Sequence, residues 1–340
     1  MLMSKSFPSK EFPFAPLGNF PTALSPMDGL RRALGGGPRL FVKRDDCSGL
    51  ALGGNKTRKL EYLMGEAVRR SSQIVVTQGA VQSNHVVQTA AAAARCGMEC
   101  TVLLERRVPD TDAEYEQTGN VLLNDIFKAR YEFRPAGGDM NAEGMALRDE
   151  LARDGGRVYF IPGGGSNDTG ALGYAHCALE LSAQARESGI NIDWVVHATG
   201  SAGTQAGLLA GYASSDSPVK VLGVSVRADA EKQKRTVRVL AQKTLARLGG
   251  AKEINEDDVR VDDRFVGPGY GQMTEATAAA VRLLARTEGI LLDPVYSGKG
   301  FAGLLARIRE GAFGDDDSVV FLHTGGAAAL FAYRSVFSIS

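Results

Sequence analysis

Apolar and polar residues alternate along the chain in two patterns. Short apolar runs, such as 319–322, are bounded by polar or glycine residues and are typical of buried strands. Longer segments repeat apolar residues at the spacing of an amphipathic helix, as Leu60, Leu63 and Ala67 do. The chain therefore alternates predicted strands with predicted helices over most of its length.

These patterns predict one class of fold. Apolar strands that alternate with amphipathic helices form parallel sheets covered on both faces. We therefore predict an α/β protein with two open, twisted, parallel-rich sheets covered by helices. The predicted strands are 40–43, 74–77, 100–104, 131–134, 158–161, 194–198, 219–224, 290–292 and 319–322. The predicted helices are 27–34, 56–70, 83–96, 119–127, 141–153, 170–188, 204–213, 229–248 and 275–288.

The amino-acid composition indicates which kinds of ligand the protein is expected to bind. The 340 residues include 39 basic and 39 acidic side chains, and 44% are hydrophobic. Nucleic-acid and membrane-surface binding normally require a basic excess, so neither is expected. No apolar run approaches the length that spans a bilayer, and the N-terminal segment lacks the apolar core of a signal peptide. We expect a cytoplasmic protein that binds a small molecule.

The four cysteines do not suggest a covalent or metal-based framework. A chain of this size with four cysteines is not disulfide-dense. Cys96 and Cys100 lack a matching cysteine or histidine pair elsewhere, so no metal site is predicted.

The stretch 53–59, Gly-Gly-Asn-Lys-Thr-Arg-Lys, contains a candidate nucleophile. Its two glycines permit positive φ or close approach to a ligand, and Asn55 is a good N-cap. Lys56 then lies in the first helical turn, where the helix dipole disfavours a cation. With Arg58 and Lys59 nearby, its amine should lose a proton readily and become a nucleophile. Taken alone, the stretch fits a glycine turn before a solvated basic helix better, because short motifs recur by chance.

The loop 201–204 follows a predicted strand, where open α/β sheets bind ligands. Its small residues would let backbone N–H groups at a helix start cradle a phosphate. A turn that needs small residues for packing explains it equally well. Because the loop is neither a dinucleotide-binding motif nor a P-loop, neither a dinucleotide nor a nucleoside triphosphate is indicated.

Two further loops carry polar groups at predicted strand ends. The turn 82–85, Gln-Ser-Asn-His, would suit a carboxylate at a helix start, although capping by Ser83 also accounts for it. In 293–299, Tyr296 is either a site residue or a core aromatic with a satisfied hydroxyl. A lysine amine, a phosphate cradle and a carboxylate-binding turn are what a pyridoxal phosphate enzyme acting on amino acids requires.

These motifs, together with 43–46, 267–270 and 323–326, resemble one family in order along the chain. It is the pyridoxal phosphate family of D-cysteine desulfhydrases, 1-aminocyclopropane-1-carboxylate (ACC) deaminases and L-cysteate sulfo-lyases. The resemblance implies the fold-type II architecture shared with tryptophan synthase β subunits. It also implies a large cofactor-binding domain of residues 1–54 and 167–340, a small mobile domain of residues 55–166, and a homodimer.

The resemblance implies the following roles toward the cofactor, pyridoxal 5'-phosphate. Lys56 would be the Schiff-base lysine and would also move protons at the substrate. Lys59 would contact the phosphate, and Asn84 the phenolic oxygen. The phosphate loop would consist of Ser201, Ala202, Gly203 and Thr204.

Toward the substrate, the resemblance implies that Ser83, Asn84 and His85 meet the carboxylate and that Ser83 assists proton transfer. Tyr270 and Tyr296 would be the two tyrosines that face the substrate. ACC deaminases place a glutamate beside the cofactor's ring nitrogen where this chain has Ser297. A neutral partner leaves that nitrogen largely unprotonated, which favours β-elimination over ring opening.

The leaving group is a choice between sulfonate and thiol. Segments 77–79, 137–143, 162–167 and 197–200 are more similar to L-cysteate sulfo-lyases than to D-cysteine desulfhydrases. A buried sulfonate needs donors or positive charge, for which Gln78, His197 and Arg227 are candidates, although each is equally compatible with a supporting or surface role. We predict a lyase that converts L-cysteate to pyruvate, ammonia and sulfite. The alternative is a D-cysteine desulfhydrase that releases sulfide; ACC deamination and a non-catalytic pyridoxal phosphate-binding protein rank lower.

Overall fold

The strands are those of an open-sheet protein. A computed structural model describes residues 12–109, 111 and 113–337 of the chain. Within them the strands are β1 Leu24–Pro26, β2 Arg39–Lys43, β3 Ile74–Ala80, β4 Glu99–Glu105, β5 Arg130–Arg134, β6 Val158–Phe160, β7 Trp194–Thr199, β8 Lys220–Ser225, β9 Arg260–Asp262 and β10 Ser318–Leu322.

Helices connect most of these strands. They are α1 Asp28–Ala33, α2 Lys56–Arg69, α3 Asn84–Arg95, α4 Asn120–Ile126, α5 Met140–Arg153, α6 Asp168–Glu187, α7 Gly203–Ser214, α8 Ala230–Arg247, α9 Glu275–Glu288, α10 Ser297–Arg309 and α11 Arg334–Phe337. Among these described helices, none combines the length and the apolarity needed to cross a bilayer.

The strands form two sheets, as predicted. The larger sheet has the order β1-β2-β10-β7-β8-β9, and the smaller one has the order β5-β4-β3-β6. Every pair is parallel except β1 with β2. All five residues of β10 are buried, because its neighbours and the covering helices exclude water from both faces. The prediction of an α/β fold with two parallel-rich sheets is confirmed.

The smaller sheet is built only from strands between residues 74 and 160, whereas the larger sheet takes strands from both sides of that stretch. In the smaller sheet α3, α4 and α5 connect successive strands along the chain. This arrangement is compatible with the predicted division into residues 55–166 and the remainder. The mobility of the smaller part stays a prediction.

Several local predictions were wrong, and strands β1 and β9 were not predicted. Residues 290–292 form no strand, because the carbonyl of Leu291 accepts a hydrogen bond from the side chain of His323 instead of from a neighbouring strand. The predicted strand 74–77 is too short, since β3 continues to Ala80 and pairs with β4 over its whole length. Helix α10 was missed, and it begins inside the predicted loop 293–299.

The first turn of α2 is anchored by buried ion pairs. Arg58, whose side chain is 2% exposed, donates two hydrogen bonds of 2.8 Å to Asp45. It also donates two of 2.9 Å to Glu180 on α6. The Glu180 carboxylate accepts from Lys43, and the Tyr174 hydroxyl donates to Asp45 at 2.6 Å. Burial alone would raise the pKa of Asp45, but Arg58 and Lys43 outweigh it and hold that pKa below its usual value.

This cluster should matter more to stability than an exposed pair. We expect Asp45→Asn to lower the free energy of unfolding by about 3–5 kcal/mol, because it leaves buried positive charge without its partner. Urea denaturation checks this. The matched control is Glu116→Gln, which breaks the exposed Arg106–Glu116 pair and should cost less than about 1 kcal/mol. Equal losses of unfolding free energy in Asp45→Asn and Glu116→Gln would contradict the view that the buried cluster stabilises the fold more than the exposed pair does.

Candidate active site

A cavity lies at the carboxyl ends of β3 and β7 and takes its lining from both sheets. Its walls come from α2, from the turn before α3, from the loop before α7 and from the segments around residues 270 and 296. Most of the predicted site residues lie there. The lining includes Lys56, Gln78, Ser83, Asn84, His85, Arg107, Thr199, Ser201, Ala202, Thr204, Arg227, Lys232, Tyr270, Asp293, Tyr296 and Thr324.

Lys56 is the first residue of α2 and extends into this cavity. Its Nζ donates to Asn55 Oδ1 at 2.6 Å and lies 5.9 Å from the centroid of the Tyr296 ring. Burial lowers the pKa of Lys56 to about 8, against an opposing effect of Asp293. The predicted lowering is confirmed, but its cause is mainly burial. Arg58 contributes nothing that we can identify, because its guanidinium is paired with Asp45 outside the cavity.

Asn55 has a different role from the predicted one. It occupies the N-cap position of α2, yet its side chain makes no capping hydrogen bond. Its Oδ1 accepts from Lys56, and its Nδ2 donates to Thr204 Oγ1 at 2.9 Å. Asn55 thus connects the lysine amine to the loop before α7, a link that sequence analysis missed because it depends on tertiary contact.

The two glycines before Asn55 are required by close packing. Gly53 and Gly54 have φ values of +77° and +133°. A Cβ at Gly53 would lie 1.8 Å from the carbonyl oxygen of Asp46. A Cβ at Gly54 would lie 2.6 Å from Asn84 Nδ2. The positive φ that glycine was predicted to permit is present at both positions.

The loop 201–204 has the geometry of an anion cradle. Ala202 is the N-cap of α7 and has a φ of +72°, so the backbone turns sharply before the helix. The first N–H groups of a helix have no partner within it and attract anions. Position 203 has no room for a side chain, because a Cβ there would lie 2.6 Å from Ser166 Oγ. The Ser166 hydroxyl also donates to Ser201 Oγ at 2.8 Å.

Lys59 lies behind this cradle instead of lining the cavity. It is 1% exposed, and its Nζ donates to the Gly164 carbonyl at 3.1 Å and to Ser166 Oγ at 3.4 Å. Burial, and then the nearby Lys56, hold the pKa of Lys59 well below its usual value. In this structure Lys59 braces the loop 164–166, and its contact with a phosphate stays a prediction.

The turn before α3 presents polar side chains to the cavity. Ser83 is the N-cap of α3, but its hydroxyl makes no capping hydrogen bond. Gly79 leaves room for that hydroxyl, since a Cβ there would lie 2.6 Å from Ser83 Oγ. Asn84 Nδ2 donates to the Gly53 carbonyl at 3.4 Å. Capping, the alternative explanation of this motif, is therefore not what Ser83 does.

His85 offers an acceptor, not a donor. The Thr77 hydroxyl donates its single hydrogen to the Ile161 carbonyl at 2.9 Å, so His85 Nε2, 2.8 Å away, must donate to Thr77. The buried Nδ1 then carries the lone pair and has no partner among the described residues. Burial, together with Lys56 and Lys59, holds the pKa of His85 well below its usual value. This tautomer argues against the predicted contact between the imidazole and a carboxylate.

Tyr270 and Tyr296 form one wall. Their rings meet edge to face with centroids 5.6 Å apart. Burial holds the pKa of Tyr270 well above its usual value, so its phenol stays protonated. The fully buried Lys299 ties down the loop that carries Tyr270, donating to the carbonyls of Val266 at 2.5 Å and Gly269 at 2.8 Å. This role of Lys299 has no signal in the sequence, because both acceptors are backbone carbonyls distant along the chain.

Ser297 does not line the cavity. Its hydroxyl donates to Asp293 Oδ2 at 2.5 Å and accepts from the Asp293 N–H at 2.8 Å. The Asp293 carboxylate also accepts from the N–H groups of Val295, Tyr296 and Ser297, which fixes the start of α10. Asp293 and Thr324, neither of them predicted, reach the cavity wall instead.

The three predicted sulfonate-binding residues lie in different surroundings. Gln78 lines the cavity, and its Nε2 donates to Asn141 Oδ1 at 3.0 Å. Arg227 is exposed and also lines the cavity. The prediction for His197 was wrong: it is buried outside the cavity, and its Nδ1–H donates to the Ala198 carbonyl. Its remaining Nε2 offers a lone pair, which would repel an anion.

The chemistry of these groups suits a phosphorylated carbonyl compound. A half-buried amine with a pKa of about 8 lies beside the anion cradle, and Asn55 bridges the two. Such an amine adds readily to an aldehyde, and the helix start binds a phosphate. Pyridoxal phosphate carries both groups. The residues present therefore fit this cofactor.

Comparisons with known proteins agree with this fit. A D-cysteine desulfhydrase of Yersinia enterocolitica is 44% identical over 298 residues, which cover 88% of this chain and 89% of that protein. One of Salmonella newport is 42% identical over 323 residues, which cover 95% and 97%. The crystal structure of an ACC deaminase homologue superposes with a TM-score of 0.87 at 32% identity and covers 96% of each chain.

A more distant structure shares the fold. The crystal structure of a T.th. threonine deaminase matches with a TM-score of 0.63 at 20% identity and covers 90% of this chain and 92% of its own. The sequence profile of the family described as "Pyridoxal-phosphate dependent enzyme" matches residues 16–325. The chain belongs to this family of pyridoxal-phosphate dependent enzymes.

Proposed function

We propose that the protein is a pyridoxal phosphate-dependent carbon–sulfur lyase that removes the β-sulfur group from a cysteine-type amino acid. The observation that carries the proposal is the half-buried Lys56 amine between an anion cradle and the polar turn at Ser83. D-cysteine, giving pyruvate, ammonia and sulfide, is the first candidate substrate. This order reverses the preference drawn from sequence, because the relatives with 42–44% identity are named D-cysteine desulfhydrases.

The cofactor would be held from several sides. Lys56 would bond its aldehyde carbon, and Ser201, Ala202, Gly203 and Thr204 would bind its phosphate, with Lys59 bracing that loop from behind. Asn84, at the start of α3, would contact the ring oxygen. When bound, pyridoxal phosphate supplies an electron-withdrawing ring to the α-carbon of the amino acid.

The residues of the chain would bind the substrate and move its protons. The N–H groups at the start of α3 and the hydroxyl of Ser83, which makes no capping hydrogen bond, would bind the carboxylate. Lys56, with a pKa of about 8, exchanges a proton near neutral pH and would take the α-proton. The protonated phenol of Tyr270, next to Tyr296, would donate a hydrogen bond on the sulfur side.

Ring opening of ACC is supported less well. Ser297 carries no carboxylate, and its hydroxyl hydrogen is already donated to Asp293. Position 297 therefore supplies no acid to a ring nitrogen, which supports β-elimination.

A second candidate substrate is L-cysteate, which would release sulfite. The observation that favours it is Arg107, a guanidinium in the cavity wall that lies over the Tyr270 ring at 5.4 Å. A non-catalytic cofactor-binding protein is the rival from another class. It would bind the cofactor and release no keto acid.

The assembly and location are also proposals. We propose a homodimer in which residues 55–166 form a small mobile domain, and both points rest on the family resemblance. We also propose a cytoplasmic location, which rests on the composition of the chain.

The proposal predicts turnover of D-cysteine. Purified protein loaded with cofactor should release pyruvate and sulfide from D-cysteine in equal amounts, measured by a coupled lactate dehydrogenase assay and a sulfide assay. L-Cysteine and ACC serve as comparison substrates. Cofactor binding without any keto acid from D-cysteine or either cysteate enantiomer would reject the lyase in favour of the binding protein.

A second expectation concerns the covalent role of Lys56. Lys56→Ala should lose the cofactor mass that borohydride reduction fixes to the wild-type chain, and pyruvate release should fall roughly 10³-fold or more, since the amine is removed. Intact-protein mass spectrometry gives the first readout. Lys243→Ala removes an exposed lysine of α8 and should keep both properties. Retention of the fixed mass in Lys56→Ala would exclude Lys56.

The lowered pKa of Lys56 also predicts a pH dependence. Burial disfavours the ammonium, so the neutral amine becomes the main form above about pH 8 instead of above 10.5. The rate at which the cofactor-free protein takes up pyridoxal phosphate should therefore rise with pH and level off just above about 8. Stopped-flow absorbance checks this. A rate still rising steeply toward about pH 10 would show an unperturbed lysine.

A further inference from the structure

Arg107 is a cation in the cavity wall that sequence analysis did not single out. The chain leaves β4 at Glu105 and brings the Arg107 side chain, 20% exposed, to the cavity. Its guanidinium carbon lies 5.4 Å from the centroid of the Tyr270 ring. Arg107 therefore sits on the side of the cavity formed by the two tyrosines.

The guanidinium is held by one nitrogen only. Its Nε–H donates to Glu105, a carboxylate that is 7% exposed and whose other oxygen accepts from the Gly137 N–H at 3.0 Å. The backbone N–H of Arg107 also donates to the Glu105 carbonyl at 2.9 Å. Within residues 12–109, 111 and 113–337, the two terminal nitrogens of Arg107 donate to no group. Four N–H donors thus remain for a ligand, with their direction fixed by Glu105.

Among the described lining residues, no free carboxylate competes for these donors. The phenol of Tyr270 is protonated, and Asp293 is the one acidic side chain among the described lining residues. Its carboxylate already accepts four hydrogen bonds at the start of α10. A neutral thiol offers weak acceptor capacity, whereas a sulfonate offers three anionic oxygens.

We infer that Arg107 is the specificity-determining residue for anionic sulfur groups, and that it admits a sulfonate to a cavity that would otherwise accept only a thiol. The inference rests on the proposed carbon–sulfur elimination and concerns the same site. It replaces the residues chosen from sequence. The Gln78 Nε2 already donates to Asn141, and His197 lies outside the cavity. Arg227 lines the cavity, but its side chain is exposed, so solvent screens its charge.

The test compares a sulfonate with a thiol in one variant. For the loaded enzyme and its Arg107→Met variant, kcat/KM is measured for sulfite release from D- and L-cysteate and for sulfide release from D-cysteine. We expect Arg107→Met to lower the value for the accepted cysteate enantiomer by about 100-fold and that for D-cysteine by less than about threefold, because only the sulfonate loses a charge-assisted contact.

Binding gives a second readout that does not depend on turnover. Homocysteate carries its sulfonate on the γ-carbon, where β-elimination cannot expel it. Calorimetric titration should show its Kd raised by about 100-fold in Arg107→Met and by less in Arg107→Lys, which keeps the charge without the planar pair of donors. Arg106→Met is the matched control, since Arg106 belongs to the same loop but pairs with Glu116 at the surface, and it should leave both values unchanged.

A folding defect can be distinguished from a loss of sulfonate recognition. If Arg107→Met leaves Glu105 unpaired and unfolds, the double variant Glu105→Gln, Arg107→Met removes that buried charge and tests the same point. Equal losses for cysteate and D-cysteine, or a selective loss in Arg227→Met instead, would overturn the inference. So would a wild-type enzyme that releases sulfide but no sulfite, a result that leaves the proposed lyase intact. No turnover of any of these substrates would reject the lyase itself.

Discussion

The pairing of Arg58 with Asp45 fixes the part of the molecule on which the site depends. Both side chains are almost fully buried, and their two hydrogen bonds of 2.8 Å join the first turn of α2 to the segment that follows β2. Glu180 extends the pairing to α6. Because a buried charge without its partner is costly, the first turn of α2 has little freedom to rotate. The direction in which Lys56 points follows from this constraint.

The three cations of that turn have separate tasks. Arg58 anchors the helix, Lys59 braces the loop 164–166, and Lys56 is left without a carboxylate partner in the cavity wall. Burial can then lower the pKa of Lys56 to about 8, because the nearest carboxylate, Asp293, is occupied by hydrogen bonds at the start of α10. A reactive amine arises here because its basic neighbours are held elsewhere, not because they surround it.

Much of the fold could be predicted, since it depends on periodicity. Long amphipathic segments such as α2 and α9 were placed within a residue of their observed bounds. Errors arose where a short apolar run could form either a strand or an irregular segment. Residues 290–292 resemble a strand locally, but the side chain of His323 takes the hydrogen bond that a neighbouring strand would have needed. Helix α10 was missed because its glycines obscure the helical pattern.

The residue types of the site could be predicted from the sequence, but the hydrogen-bond donor and acceptor roles of its side chains could not. Strand ends and glycine turns pointed correctly to the cavity positions of Lys56, Ser83 and Tyr296. Whether a histidine donates or accepts, however, is decided by a distant partner. The Thr77 hydroxyl donates its hydrogen to the Ile161 carbonyl, so His85 must donate to Thr77 through Nε2. Only the lone pair on Nδ1 is then left for any further contact. Such proton assignments depend on chains of hydrogen bonds that cross the sheet, and no local motif encodes them.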